Sequence, residues 1–162
     1  MTHVEQAGYR NSPSEGVLSQ LLSAAILLDD AVFGNIQVYN CELGGLEILV
    51  HQGFKPDFLE RFSFVGRDDT SVCARAYRLA GRIAIPDLKN DPYYDRYYPV
   101  AQAAGFRSVQ STPIIDSQGC VIGMLSTHFP QIHYLSKRAQ LALDVHAAAA
   151  ARLLEHFFYA PA

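Results

Sequence analysis

The sequence has no long hydrophobic run, no surplus of basic residues and no paired cysteine spacing, and each absence excludes something. Its apolar runs are short: the alanine run 147–151 falls far below the roughly 20 residues needed to cross a bilayer. The net charge is −3 and the lysines and arginines are scattered, so no basic stripe exists to follow a phosphate backbone. The three cysteines, Cys41, Cys73 and Cys120, contain no C-x-x-C pair, which argues against a disulfide framework or a four-cysteine zinc site. They read as reduced thiols used in packing. Neither G-x-G-x-x-G nor G-x-x-x-x-G-K-[ST] occurs, so both glycine-rich phosphate cradles are missing. The opening residues, with Glu5, Gln6, Arg10, Asn11 and Glu15, are too polar for a secretory signal, and the expected location is the cytoplasm.

What is present is the composition of one globular domain, with 49% apolar and 18% charged residues. Residues 1–13 read as a flexible tail and residues 14–158 as the domain. A first helix follows Ser14, the expected N-cap, with Val17 or Leu18, Leu21, Ala24 or Ala25 and Leu28 at helical spacing. Residues 35–40 and 46–51 alternate apolar and polar side chains around Glu42-Leu43-Gly44-Gly45, which predicts a hairpin. Short helices are expected over 54–62 and 71–79, and Pro86 ends an edge strand over 82–86. A polar and aromatic stretch, Asn90-Asp91-Pro92-Tyr93-Tyr94-Asp95-Arg96-Tyr97-Tyr98-Pro99, leads into a short helix ending at Gly105. A second hairpin, 108–115 with 120–129, turns at Asp116-Ser117-Gln118-Gly119, and Ser136 caps a last helix reaching about Phe158. Hairpin strands flanked by helices make an α+β domain: an antiparallel sheet with helices on both faces.

Three blocks carry a family resemblance: Gly34-Asn35-Ile36-Gln37-Val38-Tyr39, Gly105-Phe106-Arg107-Ser108-Val109-Gln110-Ser111-Thr112-Pro113 and Gly123-Met124-Leu125-Ser126-Thr127-His128-Phe129. Together, over residues 17–155, the chain resembles a bacterial GAF domain of the kind attached to sensor kinases and related signalling proteins. The resemblance implies a PAS-like fold with the N- and C-terminal helices packed together on one face. It also implies a ligand pocket on the other face, roofed by loops and short helices. Carried over by strand alternation, the ligand-facing side chains are Gln37 and Tyr39 on the first strand. Ser108, Gln110 and Thr112 follow on the penultimate strand, and Met124, Ser126 and His128 on the last. Tyr93, Tyr94 and Tyr97 fall where such domains roof the pocket; a tyrosine offers an apolar body with a hydroxyl handle.

The resemblance leaves the ligand, and any cofactor, unnamed. His128 is either held by structural hydrogen bonds or touches a ligand; for metal or haem ligation no second ligand accompanies it. The Cys-His dipeptide of phytochrome-like bilin attachment does not occur, and the dispersed Asn-Lys-Phe-Asp-Glu set of cyclic-nucleotide GAF domains is not traceable. GAF-fold methionine sulfoxide reductases need a nucleophilic and a resolving thiol. Cys73 matches one of their cysteines, but the loop that should carry the catalytic one, 92–98, has none. A non-enzymatic sensor is therefore expected, with a thiol-based redox enzyme or sensor using Cys73 as the alternative.

Both terminal helices also carry seam-like spacing. Val17, Leu21, Ala24 and Leu28 step by four, three and four, as do Leu143, Ala147, Ala150, Leu154 and Phe157, while Leu141, Val145 and Ala148 form another stripe. One stripe would cover the sheet and the other meet a second copy, giving a homodimer through the terminal helices. No output domain is visible in the sequence, so a histidine kinase or another signalling domain is the expected partner.

Overall fold

A computed structural model describes residues 13–158. The expected tail, residues 1–12, lies outside the described residues. Helix α1 spans Pro13–Leu28. Ser14 is therefore inside its first turn rather than its cap, and the helix starts two residues earlier than expected, because proline is itself well placed at a helix start. Strands β1 (Phe33–Asn40) and β2 (Gly45–Gln52) form the first hairpin, followed by α2 (Pro56–Phe62), β3 (Phe64–Gly66), α3 (Val72–Leu79) and β4 (Ile83–Ile85). Two 3₁₀ turns, Leu88–Asn90 and Pro92–Tyr94, lead into α4 (Tyr98–Ala104). The second hairpin is β5 (Ser108–Ile115) and β6 (Val121–Phe129), and α5 (Lys137–Phe158) ends the fold. The Ser136 hydroxyl accepts from the Ala139 amide at 3.1 Å, the N-cap bond that starts α5.

All six strands join one antiparallel sheet in the order β3-β2-β1-β6-β5-β4. Its edges are strands of only three residues, too short to template further pairing easily. The centre is the β1–β6 pair, where Phe33 lies opposite His128. Because these strands are antiparallel, α1 enters and α5 leaves at the same end of the sheet. The two helices consequently pack on each other and on one sheet face.

That face is the larger core. Leu18, Leu22, Ala25 and Ile26 of α1 and Leu143, Ala147, Ala150, Ala151 and Leu154 of α5 meet Ile36, Val50, Ile114, Ile122 and Leu125 of the sheet. The alanines on α5 let helix and sheet approach closely. On the opposite face α2, α3, α4 and the 3₁₀ turns bury Phe58, Phe62, Val65, Val72, Leu88, Tyr94, Tyr97, Ala101 and Phe106. Gly123 is dictated by strand spacing, since a Cβ there would lie 2.3 Å from the Gln37 carbonyl oxygen. Gly105, with φ +92°, terminates α4 in the left-handed conformation that glycine adopts without strain.

Among the described residues, no helix is long and apolar enough to cross a membrane.

Candidate functional site

Opposed residues of an antiparallel pair share a sheet face, so register decides which side chains meet. In the β1–β6 pair, Asn35 faces Ser126 and Gln37 faces Met124. In the β5–β6 pair, Val109 faces His128 and Ser111 faces Ser126. The side chains of Asn35, Gln37, Ser111, Ser126 and His128 therefore form one polar floor on the face away from the terminal helices. Val109 lies among them, and Phe58, Phe62, Ser71, Val72, Cys73 and Tyr94 close the other sides of a cavity of about 30 Å³. That is space for about one water-sized group.

The floor is buried and unusually short of partners. The Ser111 and Ser126 hydroxyls satisfy each other at 2.7 Å. Asn35 Oδ1, Gln37 Oε1 and His128 Nδ1, by contrast, are buried with no hydrogen-bond partner among the described residues. Each such atom costs about 1–3 kcal/mol against its hydrated state, and native proteins normally avoid the loss. His128 is 5% exposed, with the rings of Phe54, Phe58 and Phe106 around its imidazole at centroid distances of 4.9, 5.8 and 4.6 Å. Burial lowers its pKa from 6.5 to about 3, so the ring is neutral at physiological pH.

The roof is aromatic inside and ionic outside. Tyr94 is buried against the cavity, and Tyr97 packs beside it and against Phe62. The Tyr97 hydroxyl donates to Asp69, whose other oxygen accepts from the Ser71 amide at 2.7 Å. Burial alone would raise the Asp69 pKa, but these hydrogen bonds and Arg96 outweigh it and hold the carboxyl below its usual value. Arg75 pairs with Asp91 at 2.5 Å, and Asp91 also accepts from the Tyr93 amide, which fixes the second 3₁₀ turn. Tyr93 itself is exposed, with the Arg75 guanidinium 5.4 Å from its ring centre.

The sequence-derived site residues thus separate into groups. Gln37, Ser126, His128 and Tyr94 line the cavity, and Tyr97 braces its roof. Tyr39 and Met124 share the sheet face but are sealed away from the cavity, Tyr39 by stacking on Tyr77 of α3 at 4.3 Å and Met124 against Leu46 and Ala76. Ser108, Gln110 and Thr112 lie on the opposite face, a correction to the expected alternation of β5. The register makes odd-numbered β5 residues, not even-numbered ones, share a face with Ser126 and His128. Gln110 Nε2 donates to Thr127 Oγ1 at 2.9 Å, Thr112 Oγ1 donates to Gln110 Oε1 at 2.6 Å, and Thr127 Oγ1 donates to Asp29 at 2.5 Å. Arg82 donates to Thr112 at 2.9 Å and reaches α5 through the Gln140 carbonyl at 3.0 Å and Asp144. Ser108 instead donates to the Ile85 carbonyl at 3.0 Å.

Asn35, Ser111 and Val109 were not singled out from the sequence. Asn35 had a usable signal, since it lies two residues before Gln37 on the same strand. Cys73 lines the cavity with its sulfur 3.4 Å from the Ser71 hydroxyl, and burial pushes its thiol pKa up, away from the nucleophilic thiolate. Cys41 and Cys120 are exposed and lie outside the lining. Among the described residues no cluster of histidine, cysteine and acidic side chains is arranged to hold a metal ion.

The six-stranded antiparallel sheet flanked by helices on both faces is the fold of a known family. The GAF domain model matches residues 11–155. The chain belongs to the GAF family. Among solved structures, the GAF domain of a phosphoenolpyruvate-protein phosphotransferase from Coxiella burnetii superimposes with a TM-score of 0.77 at 14% identity, covering 94% of this chain and 89% of that one. The GAF domain/HD domain protein from Geobacter sulfurreducens gives 0.76 at 12% identity, covering 96% and 99%. A type II free methionine-R-sulfoxide reductase from Thermoplasma acidophilum gives 0.69 at 21% identity, covering 90% and 97%. At these identities the likeness is one of fold. No curated protein sequence matches the chain significantly.

Proposed function

We propose that this GAF domain is a regulatory module that takes a small molecule into the cavity between its sheet and its tyrosine-bearing roof. The convergence of three unpartnered buried polar atoms, from Asn35, Gln37 and His128, on one cavity carries this reading. A site used for packing alone would be filled by apolar atoms or would satisfy its polar ones internally. A regulatory role is favoured over thiol catalysis because the cavity holds one cysteine, that thiol is disfavoured as a thiolate, and the remaining cysteines lie outside the lining.

The output runs through the terminal helices. On α5 the stripe of Leu143, Ala147, Ala150 and Leu154 is taken up by the sheet, whereas Leu141 and Val145 remain 66% and 67% exposed. On α1 the outward stripe keeps Val17 and Leu28 about half exposed. These outer stripes are the surface for a homodimer, and a partner signalling domain such as a histidine kinase would read its helix geometry. Light scattering should show a dimer that Leu141→Asp with Val145→Asp converts to monomer; a monomeric native protein would remove the dimer from the scheme.

The ligand reading is tested by a thermal-shift screen against cyclic nucleotides, amino acids, haem, bilins and small neutral aromatics. A ligand at a hundredfold excess over its Kd adds about 2.7 kcal/mol of stability. That stabilisation should disappear in Ser126→Val, which replaces a floor hydroxyl by methyl groups. A flat screen, or a hit indifferent to Ser126→Val, would mean that the cavity is not the site.

A further inference from the structure

We infer that the cavity recognises an uncharged ligand through a primary carboxamide or an equivalent neutral donor–acceptor edge, such as a urea or lactam. This inference rests on the small-molecule reading above. The lining consists of Asn35, Gln37, Ser71, Ser111, Ser126, a neutral His128, Cys73, Tyr94 and apolar side chains, with no aspartate, glutamate, lysine or arginine among them. In the roof Arg75 pairs with Asp91 and Arg96 with Asp69, while Arg61 of α2 lies over the Tyr97 ring at 5.0 Å, and none of these is part of the lining. A carboxylate or phosphate entering the cavity would lose its hydration and find no fixed countercharge in the lining. Such transfers are far costlier than burying a neutral amide that can be hydrogen-bonded.

The unpartnered atoms define what the neutral group must offer. Asn35 Oδ1 and Gln37 Oε1 are acceptors awaiting N–H or O–H donors. His128 Nδ1 is a neutral imidazole nitrogen, which accepts or donates according to its tautomer. A carboxamide carries two donors and one acceptor in a plane, and so complements amide and imidazole partners in either orientation. Phe58, Phe62 and Tyr94 supply flat apolar walls beside this floor, which suits a planar amide or one attached to a ring. The present volume, about 30 Å³, takes about one water-sized group, so only the nitrogen or oxygen tip of an amide fits it as it stands. The amide end therefore enters first, and any larger body requires the roof of α2 and Tyr94 to shift.

Isosteric pairs isolate the inference from the reading beneath it. Nicotinamide and benzamide are titrated into the native protein at millimolar concentration, beside nicotinate and benzoate. The readouts are the melting temperature and the side-chain NH₂ resonances of Asn35 and Gln37. The amides should move those resonances and raise the melting temperature, with Kd at least about tenfold below that of the matching acids. The shift should be lost in Gln37→Leu; should that variant not fold, the amide–acid contrast on the native protein decides alone. Acids that bind as well as the amides would overturn the carboxamide inference while leaving a ligand-binding cavity in place. Amides that leave both resonances unmoved would overturn it too, and the broader screen, which includes charged ligands, would still decide whether the cavity binds anything.

Discussion

Replacing Asp29 with asparagine should stabilise the protein at neutral pH and change little below about pH 4. Asp29 follows the last residue of α1, is 3% exposed, and stands at the negative end of that helix. One carboxylate oxygen accepts from Thr127 at 2.5 Å, and the other has no partner among the described residues. Burial raises its pKa from 3.8 to about 6, with Thr127 and Arg82 offsetting only part of the effect and Asp30 adding to it. Between those values the folded chain holds a proton that the unfolded chain has released, so stability falls as pH rises and the full cost applies above about pH 6. Each tenfold change in proton affinity is worth about 1.4 kcal/mol, which puts the ceiling at about 3 kcal/mol, and relaxation around the carboxylate should leave about 1–2 kcal/mol. Asparagine keeps an acceptor for Thr127 and carries no charge. Its advantage at neutral pH should raise Tm by roughly 2–8 °C, read by calorimetry as a difference from the native protein across pH. An Asp29→Asn variant less stable than the native protein at neutral pH would refute the reasoning, since it would mean that attraction to Arg82 outweighs desolvation. A difference independent of pH would refute it as well.

His128 has the opposite sign. Its folded pKa, lowered to about 3, means that acidification below 6.5 protonates the unfolded chain first, so stability is lost as pH falls; His128→Phe should remove up to about 1.4 kcal/mol of that loss for each step of one in pH. The two groups therefore nearly cancel between about pH 4 and 6, and only the single variants expose either slope. Gly123→Ala should cost roughly 1–3 kcal/mol, seen as a lower urea midpoint at unchanged m-value, because its Cβ would meet the Gln37 carbonyl oxygen at 2.3 Å. Leu143→Ala should cost about 2–5 kcal/mol by the same assay, since the side chain is 1% exposed between α5 and the sheet.

The order of elements was legible because hairpin turns, proline and glycine stops and helical spacing are local signals. The face of β5 was not. Residues Ser108 to Ile114 are buried throughout, with helices covering one side and the roof the other. Alternation along such a strand has no solvent side to point away from, and polar Gln110 and Thr112 resembled a ligand lining when they serve a buried network under the helices. Strand β3 was missed because three residues give no period to detect. Phe58 and Phe62 sit one helical turn apart on α2, which shows that they share a face. Nothing local shows that this face would roof a cavity. Tyr97 was expected in the roof, but its latch to Asp69 joins residues 28 apart in sequence, beyond the reach of any motif.

Strand β6 has one further property. Ser126 and His128 point into the cavity, while Thr127 between them points through the sheet to Asp29 at the end of α1. The His128 carbonyl accepts from Val32 at 3.1 Å, in the link between α1 and β1. Cavity and helix junction are thus two sides of one wall a single backbone thick. Under the proposed function, an occupant pressing on that wall from the cavity would alter the seat of the helices, and linkage would make the traffic run both ways. On that reading, a partner that repositioned α1 and α5 would change the affinity of the cavity by the same factor that an occupant of the cavity changes the affinity for the partner. An affinity measured with α1 and α5 free would then differ from one measured with them held by a partner.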